Sequence, residues 1–285
     1  MSTPPTGTRL TGALENTADA HNTATAASHT SGASAGAGLP ALLAGLADPA
    51  PRGLDDRVFT RWAIAPSRVG EVRVAFTTAG AQFVRPVADL DDDAFVAAYR
   101  RRFARPLRPA ARVPAGVAPS LRGRAGARPA LDLDAGTAFE RDVLAAARRI
   151  PPGQVRPYGW VAREAGRPGA VRAAGSVLAR NPLPLLVPCH RVVRADGDLG
   201  AYLFGTDRKA DLLRAEGADP ERLAELARAG VHYLASDTTG IVCFPTCRDA
   251  RRITPAHRHG FASVADARNA GYRPCRTCRP AVDAA

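Results

Sequence analysis

Apolar and polar positions change period several times along the chain. Val72, Val74 and Phe76 alternate with Glu71, Arg73 and Ala75, and Thr78-Ala79-Gly80 punctuates a turn. A period of two predicts strands between Arg57 and about Val87. Over Asp93–Phe103 the period becomes helical, with Phe95, Ala98 and Tyr99 along one side. Arg105–Pro129 is basic and rich in Pro, Gly and Ala, which predicts a long loop. Thr137 and Glu140 then stand at capping-box spacing, and Phe139, Val143, Ala146 and Ile150 share one face. Pro151-Pro152-Gly153 ends that helix. A helix-turn-helix pattern follows: Trp160–Ala165, a turn at Gly166-Arg167-Pro168-Gly169, and Ala170–Arg180. Val171, Ala174 and Leu178 form the expected core side of the second helix; Arg172, Ser176 and Ala179 form its exposed side.

Asn181–Val193 reads as extended and apolar up to Cys189. A helix is predicted from Thr206 to Gly217. Asp219-Pro220 supplies an N-cap and a first-turn proline for another, closed by Gly230. The remainder reads as short strands and loops, with His257 and His259 in loops. Residues 1–52 are rich in Ser, Thr, Ala, Gly and Pro without apolar periodicity, and predict a disordered tail. Internal repeats are absent from the sequence.

Composition adds a partner class. Lys and Arg number 39 against 27 Asp and Glu, a formal net charge of +12. Lys209 is the only lysine. Abundant Arg, Ala, Gly and Pro suggest a GC-rich genome, which accounts for arginine over lysine but not for the net sign. The positive excess points to a polyanion, nucleic acid first. No apolar stretch approaches a membrane span, and the N-terminus lacks a basic start followed by an apolar run. A monomer without membrane association is expected.

The five cysteines divide into two chemistries. Cys189, in Pro188-Cys189-His190-Arg191-Val192, has no cysteine neighbour. Cys243-x3-Cys247 and Cys275-x2-Cys278 stand at metal-ligand spacing, which predicts a closed tetrahedral zinc site of four thiolates. Disulfides are the alternative, disfavoured by the reducing, cytoplasmic setting that an odd cysteine count with metal-like pairs implies. A free thiol needs a base or a positive field to become a nucleophile. His190 is adjacent, although neighbours in an extended segment face opposite ways. Glu216 ends a helix, where the macrodipole disfavours an anion, and that placement makes sense if it orients a histidine. A buried structural cysteine and a surface glutamate are the alternative.

The segment Tyr158 … Arg172-Ala173-Ala174-Gly175 … Asn181-Pro182 … Pro188-Cys189-His190-Arg191-Val192-Val193 … Gly200-Ala201-Tyr202 … Lys209 … Glu216-Gly217 resembles the methylated-DNA–protein-cysteine methyltransferases, or O6-alkylguanine-DNA alkyltransferases. The resemblance covers about residues 57–217 and is ungapped from Thr137 onward. It implies single-turnover repair, with Cys189 irreversibly accepting an alkyl group from O6 of guanine. His190 would deprotonate Cys189 through a water, and Glu216 would hold the imidazole. It also implies a flipped-out base, because O6 of a paired guanine lies within the stack. Arg172 would fill the vacated space. The small Ala170, Ala173 and Gly175, with Ser176, would let this helix approach the minor groove. Tyr158 would assist the departing guanine, and Asn181 would fix the turn before the cysteine segment. Pro157 and Ala201 depart from the family's usual residues without removing a reactive group.

Thr238-Thr239-Gly240-Ile241-Val242-Cys243-Phe244-Pro245-Thr246-Cys247-Arg248 and Ala267-x-x-Ala270-Gly271-Tyr272-Arg273-Pro274-Cys275-x-x-Cys278-Arg279-Pro280 resemble the zinc domain of the Ada family. That resemblance implies Zn²⁺ held by Cys243, Cys247, Cys275 and Cys278, with Cys243 accepting a methyl from a backbone methylphosphotriester. Four thiolates on one zinc carry a formal charge of −2 and repel ordinary phosphodiesters, but not a neutral triester. Arg248, Arg251 and Arg252 would hold flanking phosphates. In Ada the zinc module comes first and a regulatory segment intervenes; here the order is reversed and no such segment fits.

The expected architecture is α+β in four parts. Residues 1–52 form a tail, and 53–130 a strand-containing subdomain with a basic loop. Residues 131–217 form the helical catalytic subdomain, and 218–285 a small zinc-bound α+β module. Double-stranded DNA carrying O6-alkylguanine or methylphosphotriesters is the expected partner. The rivals are a non-enzymatic alkylation-damage sensor or transcriptional regulator, a Cys-His hydrolase, and a purely structural zinc ribbon.

Overall fold

The computed structural model describes residues 53–124 and 126–281; the predicted tail lies outside the described residues. A short helix α1 (Leu54–Val58) precedes the antiparallel strands β1 (Thr60–Ser67), β2 (Gly70–Phe76) and β3 (Ala81–Pro86). Helix α2 (Asp92–Phe103) follows, capped by Asp91, whose carboxylate accepts from the Ala94 N–H at 2.8 Å. Strand β4 (Leu107–Pro109) joins the far edge parallel to β1, giving the order β3-β2-β1-β4.

Alternation in β2 is real, but neither face is wet. Val72, Val74 and Phe76 enter the main core, whereas Ala75 joins Phe83, Phe95 and Tyr99 under α2. Arg73 is buried as well and pairs with Asp92 at 2.6 Å. The strand expected to start at Arg57 begins at Thr60, because 54–58 are helical. The predicted loop 105–129 contains β4 and a short helix α3 (Val117–Leu121). β4 has three residues and ends in proline, so it carries no period of its own; its partner in β1 creates it.

Helix α4 (Ala138–Arg148) has the expected reciprocal capping box between Thr137 and Glu140. The two-residue strand β5 (Arg156–Pro157) leads directly into α5 (Tyr158–Glu164), and α6 (Val171–Ala179) completes the helix-turn-helix. On α6, Ala174 and Leu178 are buried as expected. Val171, in the first turn of the helix, is 39 % exposed, and Val177 is buried beside Ala174 and Leu178. Of the segment 181–193, read as extended, only Val192–Val193 are a strand. Cys189–Arg191 form a 3-10 turn that opens into β6 (Val192–Val193), paired parallel with β5.

Helix α7 (Thr206–Ala215) is followed by α8 (Pro220–Arg228), capped by Asp219. The last segment holds β7 (Tyr233–Ser236), β8 (Ile241–Cys243), β9 (Arg258–Phe261), α9 (Val264–Asn269) and β10 (Arg273–Pro274). Its sheet has the order β10-β8-β7-β9. His259 therefore lies in a strand, not a loop. One apolar cluster runs through both halves: Val143, Val161 and Leu178 share it with Leu234, Val242 and Val264. Among the described residues no helix is long and apolar enough to cross a membrane.

Phe95 is fully buried between Trp62 and Phe83, with ring centroids 5.6 and 5.5 Å away. Phe95→Ala is expected to destabilise the chain by about 3–5 kcal/mol in urea titration, the usual result of emptying an aromatic core site.

Candidate functional site

The 3-10 turn gives Cys189 and His190 a geometry that a strand would not. Cys189 is 6 % exposed. Its backbone N–H donates to the Val187 carbonyl at 2.8 Å. Asn181, fully buried, donates from Nδ2 to the Val187 carbonyl at 3.0 Å and to Cys189 Sγ at 3.1 Å. Its Oδ1 accepts from the Leu183 N–H at 2.9 Å. One amide thus closes the loop between α6 and the cysteine turn while touching the sulfur. The edge strand β3 and helix α2 support the same loop: the Val84 N–H donates to the Pro182 carbonyl at 2.8 Å, and Arg102 donates to the Arg180 carbonyl at 2.9 Å.

Burial pushes the Cys189 thiol up; the Asn181 hydrogen bond and the charges of Lys209 and Arg85 oppose that rise. Lys209 is itself buried, which lowers its ammonium to about 8, and its Nζ donates to the Val192 and Leu199 carbonyls.

His190 is 2 % exposed, and its Nε2 lies 3.1 Å from Glu216 Oε1. Its Nδ1 is buried with no hydrogen-bond partner among the described residues. Burial lowers the imidazole, and the bond and charge of Glu216 pull it back up. The side chain of Glu216 is 1 % exposed at the C-cap of α7, where the helix dipole offers nothing. Compensation comes from elsewhere. Arg191 donates to both oxygens, from Nε at 2.8 Å and from Nη2 at 2.7 Å. Arg68, at the tip of the β1–β2 hairpin, donates at 2.9 Å, and the Gly153 N–H at 3.0 Å. Burial would raise this carboxyl, but His190 and Arg191 together hold it below the usual carboxylate range.

Tyr158 starts α5 beside this centre, because β5 pairs with β6 immediately after the cysteine turn. It is half-buried, and burial followed by the Cys189 charge raises its phenol. A Cβ placed on Gly175 would meet the Tyr158 ring at 3.8 Å, so α6 and the tyrosine are in near contact. Arg172, Ala173 and Ser176 lie exposed on α6, with Ala170 half-buried at its start. The structure therefore gathers Cys189, His190, Glu216, Asn181 and Tyr158 at one centre and leaves Arg172 on the outer face of the adjoining helix. Sequence reasoning missed Arg68, Arg191 and Gly153 as supports of Glu216. Arg191 carried a signal, its place in the Cys-His-Arg run; Arg68, from a distant hairpin, carried none.

The second cluster lies in the last segment. Sγ atoms of Cys243, Cys247, Cys275 and Cys278 all fall within 4.8 Å of one another, and all four residues are buried. A zinc tetrahedron with bonds of about 2.3 Å places sulfurs about 3.8 Å apart, so the donor set fits that ion. Disulfides are absent among the described residues. Cys275 is the most exposed of the four at 4 %, against 1 % for Cys243. His257 and His259 turn away from the cluster to Asp237, at 2.9 and 3.2 Å. The arginines expected to face phosphate, Arg248, Arg251 and Arg252, are all exposed, and Arg251 also donates to the Gly153 carbonyl.

Residues 138–218 match the family described as the DNA binding domain of 6-O-methylguanine DNA methyltransferase, and residues 224–281 the metal binding domain of Ada. The bifunctional transcriptional activator/DNA repair enzyme Ada of Escherichia coli is 49 % identical over 87 residues, covering 30 % of this chain and 25 % of that protein. The methylated-DNA–protein-cysteine methyltransferase of Salmonella typhimurium is 51 % identical over 82 residues, 29 % of this chain and 48 % of that protein. The chain thus spans about half or less of the length of these curated relatives. A solved structure of Mycobacterium tuberculosis OGT in complex with DNA is 31 % identical, with a TM-score of 0.44, covering 59 % of this chain and 99 % of that one. Residues 138–218 belong to the 6-O-methylguanine DNA methyltransferase family, and residues 224–281, with their four-cysteine zinc set, to the metal-binding domain of Ada.

Proposed function

We propose that this chain repairs alkylated DNA by irreversible transfer of an alkyl group from O6 of guanine to Cys189, one turnover per molecule. The observation that carries this reading is the buried Asn181–Cys189–His190–Glu216 constellation, with Tyr158 beside it and Arg172 on the outer face of the adjoining helix. His190 keeps Nδ1 for the thiol proton because Glu216 engages Nε2. The proton leaves Cys189 through a bridging water, and sulfur attacks the alkyl carbon. The S–C bond forms as the C–O6 bond breaks, and the electron pair departs with guanine, assisted by the Tyr158 hydroxyl. No group at this centre displaces the resulting thioether, so the protein is consumed. Arg172 enters the stack in place of the flipped base, and Ala170, Ala173, Gly175 and Ser176 let α6 approach the minor groove.

A second transfer, from backbone methylphosphotriesters to Cys243, is proposed for the last segment. Cys243, Cys247, Cys275 and Cys278 would hold the zinc, which would keep their sulfurs as thiolates at neutral pH. The Cys243 sulfur would form an S–C bond to the methyl as the methyl C–O bond of the triester breaks and the electron pair stays with the phosphodiester; the site would then be less negative, which raises affinity for DNA. The chain works as four parts, 1–52, 53–130, 131–217 and 218–285, in the cytoplasm, where thiols stay reduced.

Intact-mass measurement with DNA bearing one O6-methylguanine tests the first transfer. The chain is expected to gain the mass of one methyl in place of hydrogen, mapped to the Cys189 peptide and abolished by Cys189→Ser. An unchanged mass would leave only a sensor that binds the lesion. A methylphosphotriester oligonucleotide should add a second such increment, absent in Cys243→Ser; a label mapped to Cys275 would reassign the acceptor.

Arg172→Ala is expected to slow transfer from duplex DNA by about 10–100-fold, the equivalent of the few kcal/mol that flipping requires. Transfer from the free base should be unchanged; equal slowing on both substrates would remove Arg172 from the flipping step.

Glu216→Gln is expected to destabilise the fold by about 3–5 kcal/mol at neutral pH, because buried cationic partners lose their counter-charge. Its folded pKa is lowered, so this stability is full above the unfolded value of about 4.3 and is lost as pH falls through the folded value. Urea titration at pH of about 4.3 should therefore still separate the variant from the parent, with the gap closing only at lower pH.

A further inference from the structure

The zinc segment is fastened to the backbone stretch that carries both Tyr158 and the support of Glu216. Thr246, next to the ligand Cys247, accepts from the Val155 N–H at 2.9 Å and donates to the Val155 carbonyl at 3.3 Å. Trp160 Nε1 donates to the carbonyl of the ligand Cys278 at 2.9 Å. Arg251, whose own N–H donates to the Cys247 carbonyl at 3.1 Å, donates from its guanidinium to the Gly153 carbonyl. The other side of that residue, the Gly153 N–H, donates to Glu216 Oε2 at 3.0 Å. Gly153 adopts φ +69, and a Cβ there would run into the Glu216 carbonyl, so the junction admits only glycine. An unbroken line of contacts therefore leads from Cys247 through Arg251, Gly153 and Glu216 to His190.

We infer that the zinc knot is a positioning element of the O6 alkyl-transfer site, with Arg251 and Thr246 as the positioning residues through which it acts. This coupling rests on the alkyl-transfer reading of Cys189. Segment 153–160 is irregular up to β5, and β5 has only two residues. Its path is set from the front by Glu216 and β6 and from behind by Thr246, Arg251 and the Cys278 carbonyl. Releasing the rear contacts leaves the Gly153 N–H and the Tyr158 ring free to drift. A drift of a fraction of an ångström is enough to slow a reaction that depends on positioned groups.

Single-turnover transfer from a duplex oligonucleotide to Cys189 in the full chain, together with DNA affinity and zinc content, tests this. Arg251→Met is expected to slow transfer within the DNA complex, measured at saturating DNA, by about five- to tenfold, the scale of ordinary site-to-site coupling, at one zinc per chain. Arg251→Lys, which can still donate to the Gly153 carbonyl, should recover most of that rate. Arg268→Met, which removes an exposed charge from the same segment, should match the parent. Should Arg251→Met fail to fold, Thr246→Val decides in the same way, since it leaves all four zinc ligands and removes only the Val155 clasp. Parent-like transfer in both variants overturns the coupling. A rate loss in Arg251→Met that the lysine does not relieve overturns the role of Arg251. A parent chain that never labels Cys189 instead overturns the alkyl-transfer reading itself.

Discussion

A single buried carboxylate sets the terms for the rest of the site. Glu216 stands at the end of α7, where the helix dipole repels it, with a side chain only 1 % exposed. An ion in that position survives only if every lone pair finds a donor, since desolvation outweighs any one attraction. The donors come from segments far apart in sequence: Arg68 from the first hairpin, Gly153 from the turn after α4, His190 and Arg191 from the cysteine turn. Satisfying Glu216 therefore requires the strand-rich and helical parts of the chain to close on each other. The orientation of His190 is a by-product of that closure, which links stability to the readiness of the candidate base.

The same dryness shapes the thiol. Burial raises Cys189, so the resting sulfur is kept as a thiol and out of reach of casual oxidants. Opposing that rise are Asn181 at 3.1 Å and the more distant charges of Lys209 and Arg85. Lys209 is no longer a secure cation above a pH of about 8, because it too is buried. An alkyl acceptor consumed in one turnover, as proposed for Cys189, gains from this arrangement. A thiol that were anionic at rest would be spent on any electrophile, whereas one that ionises only as His190 takes its proton reacts with what is held against it.

Much of this was legible in the sequence, for physical reasons. The capping box of α4, the first-turn proline of α8 and the cysteine spacings are local signals, and local signals survive without tertiary context. Asn181 and the cysteine turn were legible together because the contacts between them span eight residues or fewer. What escaped depended on distant partners. Arg73 looked like the wet side of a strand until α2 covered it. β4 exists only because β1 offers an edge. Arg68 reaches Glu216 across 148 residues of chain, with nothing in its neighbours to mark it. The extended reading of 181–193 held only at Val192–Val193, because apolar character alone does not distinguish a strand from a buried loop held by one asparagine.

Arg156 shows how far the two segments have been fitted together. Its guanidinium is buried, with the residue 2 % exposed, and its named partners are neutral: the Val155 carbonyl, Gln154 Oε1, and the Phe244 ring at 5.1 Å. Burial lowers its pKa, and the four cysteines of the zinc set are the charges that raise it again. A guanidinium does not shed its proton readily, so a dry one without a carboxylate needs some other anion. The four thiolates on zinc, formally −2 together, meet that need from the neighbouring segment. The counter-charge for the metal centre thus resides in β5, one strand residue away from Tyr158, and not within the zinc segment itself. Removing the last segment would strip the Phe244 ring and the cysteines from Arg156 at the entrance to α5. The helical and zinc-binding segments are for that reason electrostatic complements sharing one core, not two independent modules joined by a tether.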